Sequence, residues 1–164
     1  MRLLALDQSL NTTGVAVFDN DEILNCGAFT IHSNQELGKR LTAFLYELDD
    51  LYGTYHFDGI VYEDIQLQMG NVETYKKLAY VQAMILFWCE KHEKNLYCLS
   101  PSHWRKVLKD KYGMSWGRKR AEQKQTAIDF IQEHYEKEVD SDTADAICIG
   151  CAANIEINRT ESAF

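Results

Sequence analysis

Two short apolar runs in this chain end abruptly on acid. "RLLALD" closes on Asp7, and "HFDGIVYED" closes on Glu63 and Asp64. Brief apolar runs of this kind read as central strands covered on both faces. An ionisable group at the end of such a strand belongs at the rim of a sheet. "TGVAVFD" and "EILNCGAFTI", with "DNDE" as the turn between them, complete an antiparallel three-strand meander with the first run. From Asn34, a plausible cap, a helical period takes over: Leu37, Leu41, Phe44, Leu45, Leu48 and Leu51 share one face. A long helix is expected over about 72–94, and "NLYCLS" is a fifth strand. Pro101 or Ser102 opens a short helix to about Lys109. Two more helices are expected, over about 119–137 and from Asp142 to near Asn154.

Strands followed by alternating helices and strands predict an α/β fold: a mixed five-stranded sheet, antiparallel meander plus parallel strands, with helices on both faces. The first and fourth strands are the natural parallel central pair. That pairing sets Asp7 beside Glu63, at the carboxyl ends of strands where open sheets bind ligands. The length of 164 residues suits one domain with a proper core. It is expected over 1–157, with 158–164 as a loose tail.

"DSDTADAICIG" (140–150) adds a second acidic station. It sets Asp140, Asp142 and Asp145 at the head of a small, apolar, helix-competent segment. Acids are favoured at helix N-termini, by roughly 0.3–1 kcal/mol each, and capping explains one of them. Asp142 and Asp145, at i and i+3, lie on one face and repel unless something positive stands between. From this stretch alone, capping and cation binding stand level. A helix starting at Asp142 over the same rim would gather four carboxylates: Asp7, Glu63, Asp142 and Asp145. Unpaired, such a group is intolerable; with hard divalent cations it becomes an oxygen-ligand site suited to Mg²⁺ or Mn²⁺. Two such ions clamp a phosphodiester.

Net charge is −8, which at first argues against an anionic partner. Between His103 and Lys124, however, eight basic residues face two acidic ones, a local charge of +6 that leaves −14 elsewhere. A basic patch on an acidic body is a docking surface for an anion, although a solvated helix face looks similar. The basic set is Arg105, Lys106, Lys109, Lys111, Arg118, Lys119, Arg120 and Lys124. Five scattered cysteines read as small buried hydrophobes of a reducing compartment, Cys148-x-x-Cys151 included, since no second Cys or His pair accompanies it. No apolar run approaches the about 18 residues of a membrane span, and the N-terminus is not a signal peptide. A cytoplasmic location, with no membrane contact, is expected.

"LALDQSLNTTGVAVFD", with Thr13-Gly14 behind Asp7, "IVYEDIQ" carrying Glu63, and "DTADAICIG" carrying Asp-x-x-Asp-Ala resemble the RuvC Holliday-junction resolvases. Their order and spacing agree over nearly the whole chain. "SPSHWRKVLK…RKRAEQKQ" resembles that family's basic segment before its last helix. The resemblance implies an RNase H-like fold and a Mg²⁺-dependent, homodimeric endonuclease, with Mn²⁺ able to substitute, cutting four-way and other branched DNA by paired nicks. It implies Asp7, Glu63, Asp142 and Asp145 as catalytic metal ligands, and it selects Glu63 over Asp64. It also implies that Arg105, Lys109, Lys111, Arg118, Lys119, Arg120 and Lys124 bind DNA. The sequence departs from the family pattern where Gln8-Ser9 replaces the usual Pro-Gly, so the turn after Asp7 must be made differently. It departs again where Gln66 stands at the position of a junction-wedging Phe. Such departures are in the style of phage-encoded relatives.

Three rival readings remain. One is an RNase H-like nuclease acting on flaps, forks or structured RNA. Another is a branched-DNA-binding protein that does not cut, whose hallmark would be a lost carboxylate. The third, an actin-like phosphotransferase fragment, lacks room for its second lobe. Assembly is read from Leu78 to Cys89, apolar almost all round with Gln82 as the exception. One side can pack on the sheet. The other is covered either by the Leu37–Leu51 helix or by a second copy of the chain.

Overall fold

The structure, a computed structural model, describes residues 1–66 and 71–161. The strands are β1 (Arg2–Asp7), β2 (Thr12–Asp19), β3 (Glu22–Thr30), β4 (Gly59–Glu63) and β5 (Asn95–Leu99). The helices are α1 (Leu37–Tyr55), α2 (Val72–His92), α3 (Pro101–Tyr112), α4 (Arg120–Tyr135) and α5 (Ser141–Glu161). The sheet order is β3-β2-β1-β4-β5. β1 pairs antiparallel with β2 and parallel with β4, as the apolar runs predict.

Alternation along the strands divides the core in two. Leu4, Leu6, Val15, Val17 and Ile60 face α1 and α2, packing on Phe44, Leu48, Val81, Ile85 and Trp88. Leu3, Ala5, Ala16, Phe18 and Val61 face the other way, onto α5 and the α3 and α4 helices outside it. Covered on both sides, α5 is buried nearly all round from Ala146 to Ala153. Hence its sequence lacks the polar stripe of a surface helix.

Small residues let α5 lie directly on the sheet. A Cβ on Gly150 would meet Phe18 Cε2 at 2.2 Å and Ala5 Cβ at 2.9 Å. At the other end, a Cβ on Gly14 would lie 2.0 Å from the carbonyl oxygen of Asp142. The bare backbone of β2 is therefore what admits the first turn of α5 over the rim.

Element ends differ from the sequence reading in places. α1 begins after Glu36, which makes no side-chain cap, and not at Asn34. Ser100 is the cap of α3, accepting the His103 N–H at 3.3 Å, with Pro101 at the first helical position. α5 continues past Asn154 to Glu161, because no Gly or Pro stops it and its last turns are solvated. Of the stretch 158–164, residues 158–161 are thus helical and 162–164 lie outside the described residues. No helix among the described residues is long and apolar enough to cross a membrane.

Gly150→Ala tests the close approach. Alanine raises intrinsic helix propensity by about 1 kcal/mol, but the clash with Phe18 and Ala5 opposes it with an overpacking cost of about 1–3 kcal/mol. The clash should win, lowering the melting temperature by roughly 2–8 °C. A melting temperature equal to or above wild type would show that α5 has room at this point.

Candidate active site

Strand parity carries the first two acids to one face. Asp7 follows Leu3 and Ala5 on the α5 side of β1, and Glu63 follows Val61 on the same side of β4. The last paired residues are Leu6 and Tyr62, so one further step sets Asp7 abreast of Glu63. Asp64, one residue on, is exposed, and its backbone N–H donates to the Leu99 carbonyl at 2.9 Å. Geometry thus brings Glu63, and not Asp64, into the cluster. After Asp7 the chain reverses through Ser9 and Thr13. The Ser9 N–H donates to Thr13 Oγ1 at 3.1 Å, and that hydroxyl donates to the Ser9 carbonyl at 2.7 Å.

The head of α5 separates the capping acid from the other two. Asp140 Oδ1 accepts the Thr143 N–H at 2.8 Å, and its carbonyl accepts the Ala144 N–H at 2.9 Å. Capping is therefore done by Asp140. Asp142 and Asp145 are left over for another role, one turn apart above the sheet's rim. Asp142 Oδ1 accepts from Lys124 Nζ at 3.0 Å, and the same ammonium reaches Ser141 Oγ at 2.8 Å.

Burial pushes the Asp7 carboxyl well above the usual carboxylate range, and the charges of Asp145, Glu63 and Asp142 push it further, against Lys124. Asp145 is raised to about 6, again chiefly by burial. Lys124 and Arg105 oppose the rise, while Glu63 and Asp142 add to it. Glu63 is raised by burial, against the Trp104 hydrogen bond, Arg105 and Arg120. The acids are thus mutually repulsive and partly dehydrated, a condition that a bound cation relieves.

The donor chemistry fits a hard divalent cation, since it consists of carboxylate oxygens alone. Among the described residues, no group of three or more His, Cys, Asp or Glu side chains is placed so that it could hold a metal ion as it stands. Lys124 engages Asp142, and Trp104 Nε1 donates to Glu63 Oε2 at 2.7 Å. Trp104 is fully buried. A buried indole N–H needs an acceptor, which was the available signal for its second role.

The basic residues divide. Lys124, Arg105 and Arg120 lie within electrostatic reach of the acids. The Arg105 guanidinium stands 4.6 Å from the Trp104 ring and 5.7 Å from that of Trp116, whose indole donates to the Arg105 carbonyl at 2.9 Å. Arg118, Lys119 and Arg120 are exposed at the head of α4, where Glu122 Oε2 accepts the N–H groups of Arg118 (3.0 Å) and Lys119 (3.1 Å). Lys109 and Lys111 fall on the exposed end of α3. Lys111 lines a cavity of about 660 Å³ with Asp21, beside the β2–β3 turn, at the end of the sheet away from Asp7. His103 pairs with Glu156 at 3.2 Å, and all five cysteines are free thiols.

No family model matches the chain. A curated crossover junction endodeoxyribonuclease RuvC from Dictyoglomus thermophilum is 21% identical over 153 residues, covering 91% of this chain and 93% of that protein. The RuvC structure of Thermus thermophilus superposes with a TM-score of 0.77 at 14% identity, covering 98% of both chains. The T. thermophilus RuvC in complex with a Holliday junction substrate gives 0.74 at 12% identity, over 96% of both. In class, then, this is an RNase H-like α/β fold with an acidic site at the carboxyl ends of its central strands. Within that class the chain is similar to RuvC proteins, in sequence over most of its length and in fold over nearly all of it.

The repulsion predicts an inverted effect on stability. A carboxyl whose pKa is higher folded than unfolded binds protons better when folded, so it weakens the fold as pH rises through about 4 to 6. In EDTA at pH 7.5, Asp145→Asn should therefore be more stable than wild type, by about 1–3 kcal/mol. The difference should vanish by about pH 4, where the unfolded acid is also protonated. Urea unfolding at both pH values measures it; a variant less stable than wild type at pH 7.5 would contradict the buried repulsion.

Proposed function

We propose that this chain is a divalent-metal-dependent endodeoxyribonuclease that resolves four-way and other branched DNA junctions by paired nicks. The observation that carries the reading is the convergence of Asp7, Glu63, Asp142 and Asp145 at one rim, flanked by Arg105, Arg120 and Lys124. Mg²⁺, for which Mn²⁺ can substitute, would be held by these four carboxylates and would supply an activated water and neutralisation of the leaving oxygen. Asp7, central and most deeply buried, orders the group. Arg105 and Arg120 neutralise the incoming phosphodiester, while Arg118, Lys119, Lys109 and Lys111 extend the basic surface along the arms of the DNA. Lys124 holds Asp142 until substrate and metal arrive, then contributes its charge to the phosphate. Gln66, exposed just past β4, cannot wedge into a junction as an aromatic ring does. The five free thiols suit the reducing cytoplasm.

A synthetic four-way junction with Mg²⁺ should be cut on two opposed strands, faster than flaps, forks or structured RNA. Asp7→Asn should lower that rate by roughly a hundredfold or more, the scale of losing one charge-stabilising group, while junction affinity is kept or improved. Cutting by Asp7→Asn at near wild-type rate would sink the two-metal assignment. Binding without any cutting by wild type would favour the non-cleaving reading.

Assembly follows from α2. Val81, Ile85, Trp88 and Cys89 pack inward, and the α1 residues Tyr52 and Asp49 meet Trp88, by ring contact at 5.4 Å and by a 2.7 Å hydrogen bond. Tyr80 (47% exposed), Leu86 (50%) and Phe87 (58%) remain open on the far side, so α1 does not cover them. We assign this stripe to a twofold homodimer, which would set two sites against opposed strands. Phe87→Glu with Leu86→Glu should convert a dimer to a monomer in sedimentation at micromolar concentration and abolish paired nicking. A monomeric wild type with full cutting activity would rule the dimer out.

A further inference from the structure

The backbone of Glu63 is held by two side-chain amides. β1 and β4 pair as far as Leu6 and Tyr62, after which β1 turns away through the Ser9–Thr13 bonds. Beyond that point the ladder is continued by the Gln8 side chain. Gln8 Oε1 accepts the Glu63 N–H at 3.2 Å, and Gln8 Nε2 donates to the Glu63 carbonyl. Gln82 Nε2, from the opposite face of the sheet, donates to the same carbonyl at 3.1 Å. Gln8 is only 6% exposed, and Gln82 is the single amide between Leu78 and Cys89, on a helix otherwise apolar there.

We propose that Gln8 and Gln82 are positioning residues: by clamping the Glu63 backbone at a strand end paired with β5 through Leu99 but no longer with β1, they fix the direction in which its carboxylate enters the acidic cluster. The inference rests on the reading of Glu63 as a metal-binding carboxylate. A strand end laddered on one side alone is freer to shift, and a ligand needs placement within about half an ångström. On the α5 face, Trp104 Nε1 fixes the carboxylate itself at Oε2. On the other face, Gln82 anchors the main chain; within the sheet, Gln8 stands in for the missing rung. This also accounts for the residue after Asp7. A proline there has no side-chain amide, so a chain that uses Gln8 makes with a side chain what a Pro-Gly turn must leave to other groups.

The test compares Gln8→Leu, Gln82→Leu and Glu63→Gln with wild type. Mn²⁺ binding is measured by calorimetry without DNA, alongside melting in EDTA and single-turnover cutting at saturating Mg²⁺. Both leucine variants should melt as cooperative folded proteins yet bind Mn²⁺ about tenfold more weakly, the scale of losing an outer partner of a ligand. A purely structural role would lower the melting temperature but leave Mn²⁺ affinity of the folded protein unchanged. Should Gln8→Leu fail to fold, Gln82→Leu decides alone, since leucine suits its helical, apolar surroundings. Weakened binding by Glu63→Gln together with wild-type affinity in the leucine variants overturns the positioning role only. Wild-type Mn²⁺ affinity and cutting in Glu63→Gln would overturn the reading of Glu63 itself, and the clamp with it.

Discussion

Asp7 stands at the end of a central strand with Asp145, Glu63 and Asp142 around it, and burial makes the charges of Asp7, Asp145 and Glu63 costly. Among the described residues no group cancels them: Lys124, Arg105 and Arg120 oppose the upward shifts but do not reverse their direction at Asp7, Asp145 or Glu63. The fold must therefore hold its acids in place by packing elsewhere. It does so through α5, whose first two turns carry Asp142 and Asp145 and whose next turns fill the core against Ala5, Ala16 and Phe18. Binding chemistry and the largest packed layer share one helix, so neither can shift without the other.

That sharing depends on small residues. Gly14 and Gly150 stand where a helix and a sheet approach more closely than a side chain permits, one on β2 beneath the head of α5 and one in the middle of α5 itself. The acidic end would otherwise ride higher over the rim, and Asp142 would leave the reach of Lys124. A residue with no functional group thus sets the distance between functional groups.

Much of this was legible in the chain itself, for physical reasons. Asp7 and Glu63 could be placed because period-two alternation assigns a strand residue to a face without knowledge of its neighbours. The mixed sheet followed from the same strands. The head of α5 was ambiguous because capping acids and ligand acids are the same residue types; only the Asp140 bond to Thr143 separates them. The Trp104 bond to Glu63 was not legible, since sequence does not say which acceptor a buried indole N–H will find. Lys109 and Lys111 could not be told from Arg105 by spacing, because a helix that points one basic residue at the site carries others away from it. Nor could the apolar sequence of α2 reveal its open side, which depends on how α1 packs against Trp88. The Gln8 clamp lay outside sequence reasoning altogether, because it joins residues 55 positions apart.

Arg105 carries a consequence of its own. Its guanidinium lies against one indole and near a second, and its Nε is buried without a partner. An arginine on open surface surrenders much rotational freedom when an anion captures it, a loss of about 0.5–1.5 kcal/mol for each immobilised side chain. Here that freedom is already gone before any anion arrives. The rings that confine the cation also shield it from water, so its planar fork would meet any anion that reached it stiff and partly dehydrated. A lysine in the same cage would have neither the flat face for the indoles nor the fork for the oxygens. The two tryptophans thus confine this one cation by their rings, where its neighbours Lys106 and Lys124 are held by carboxylates.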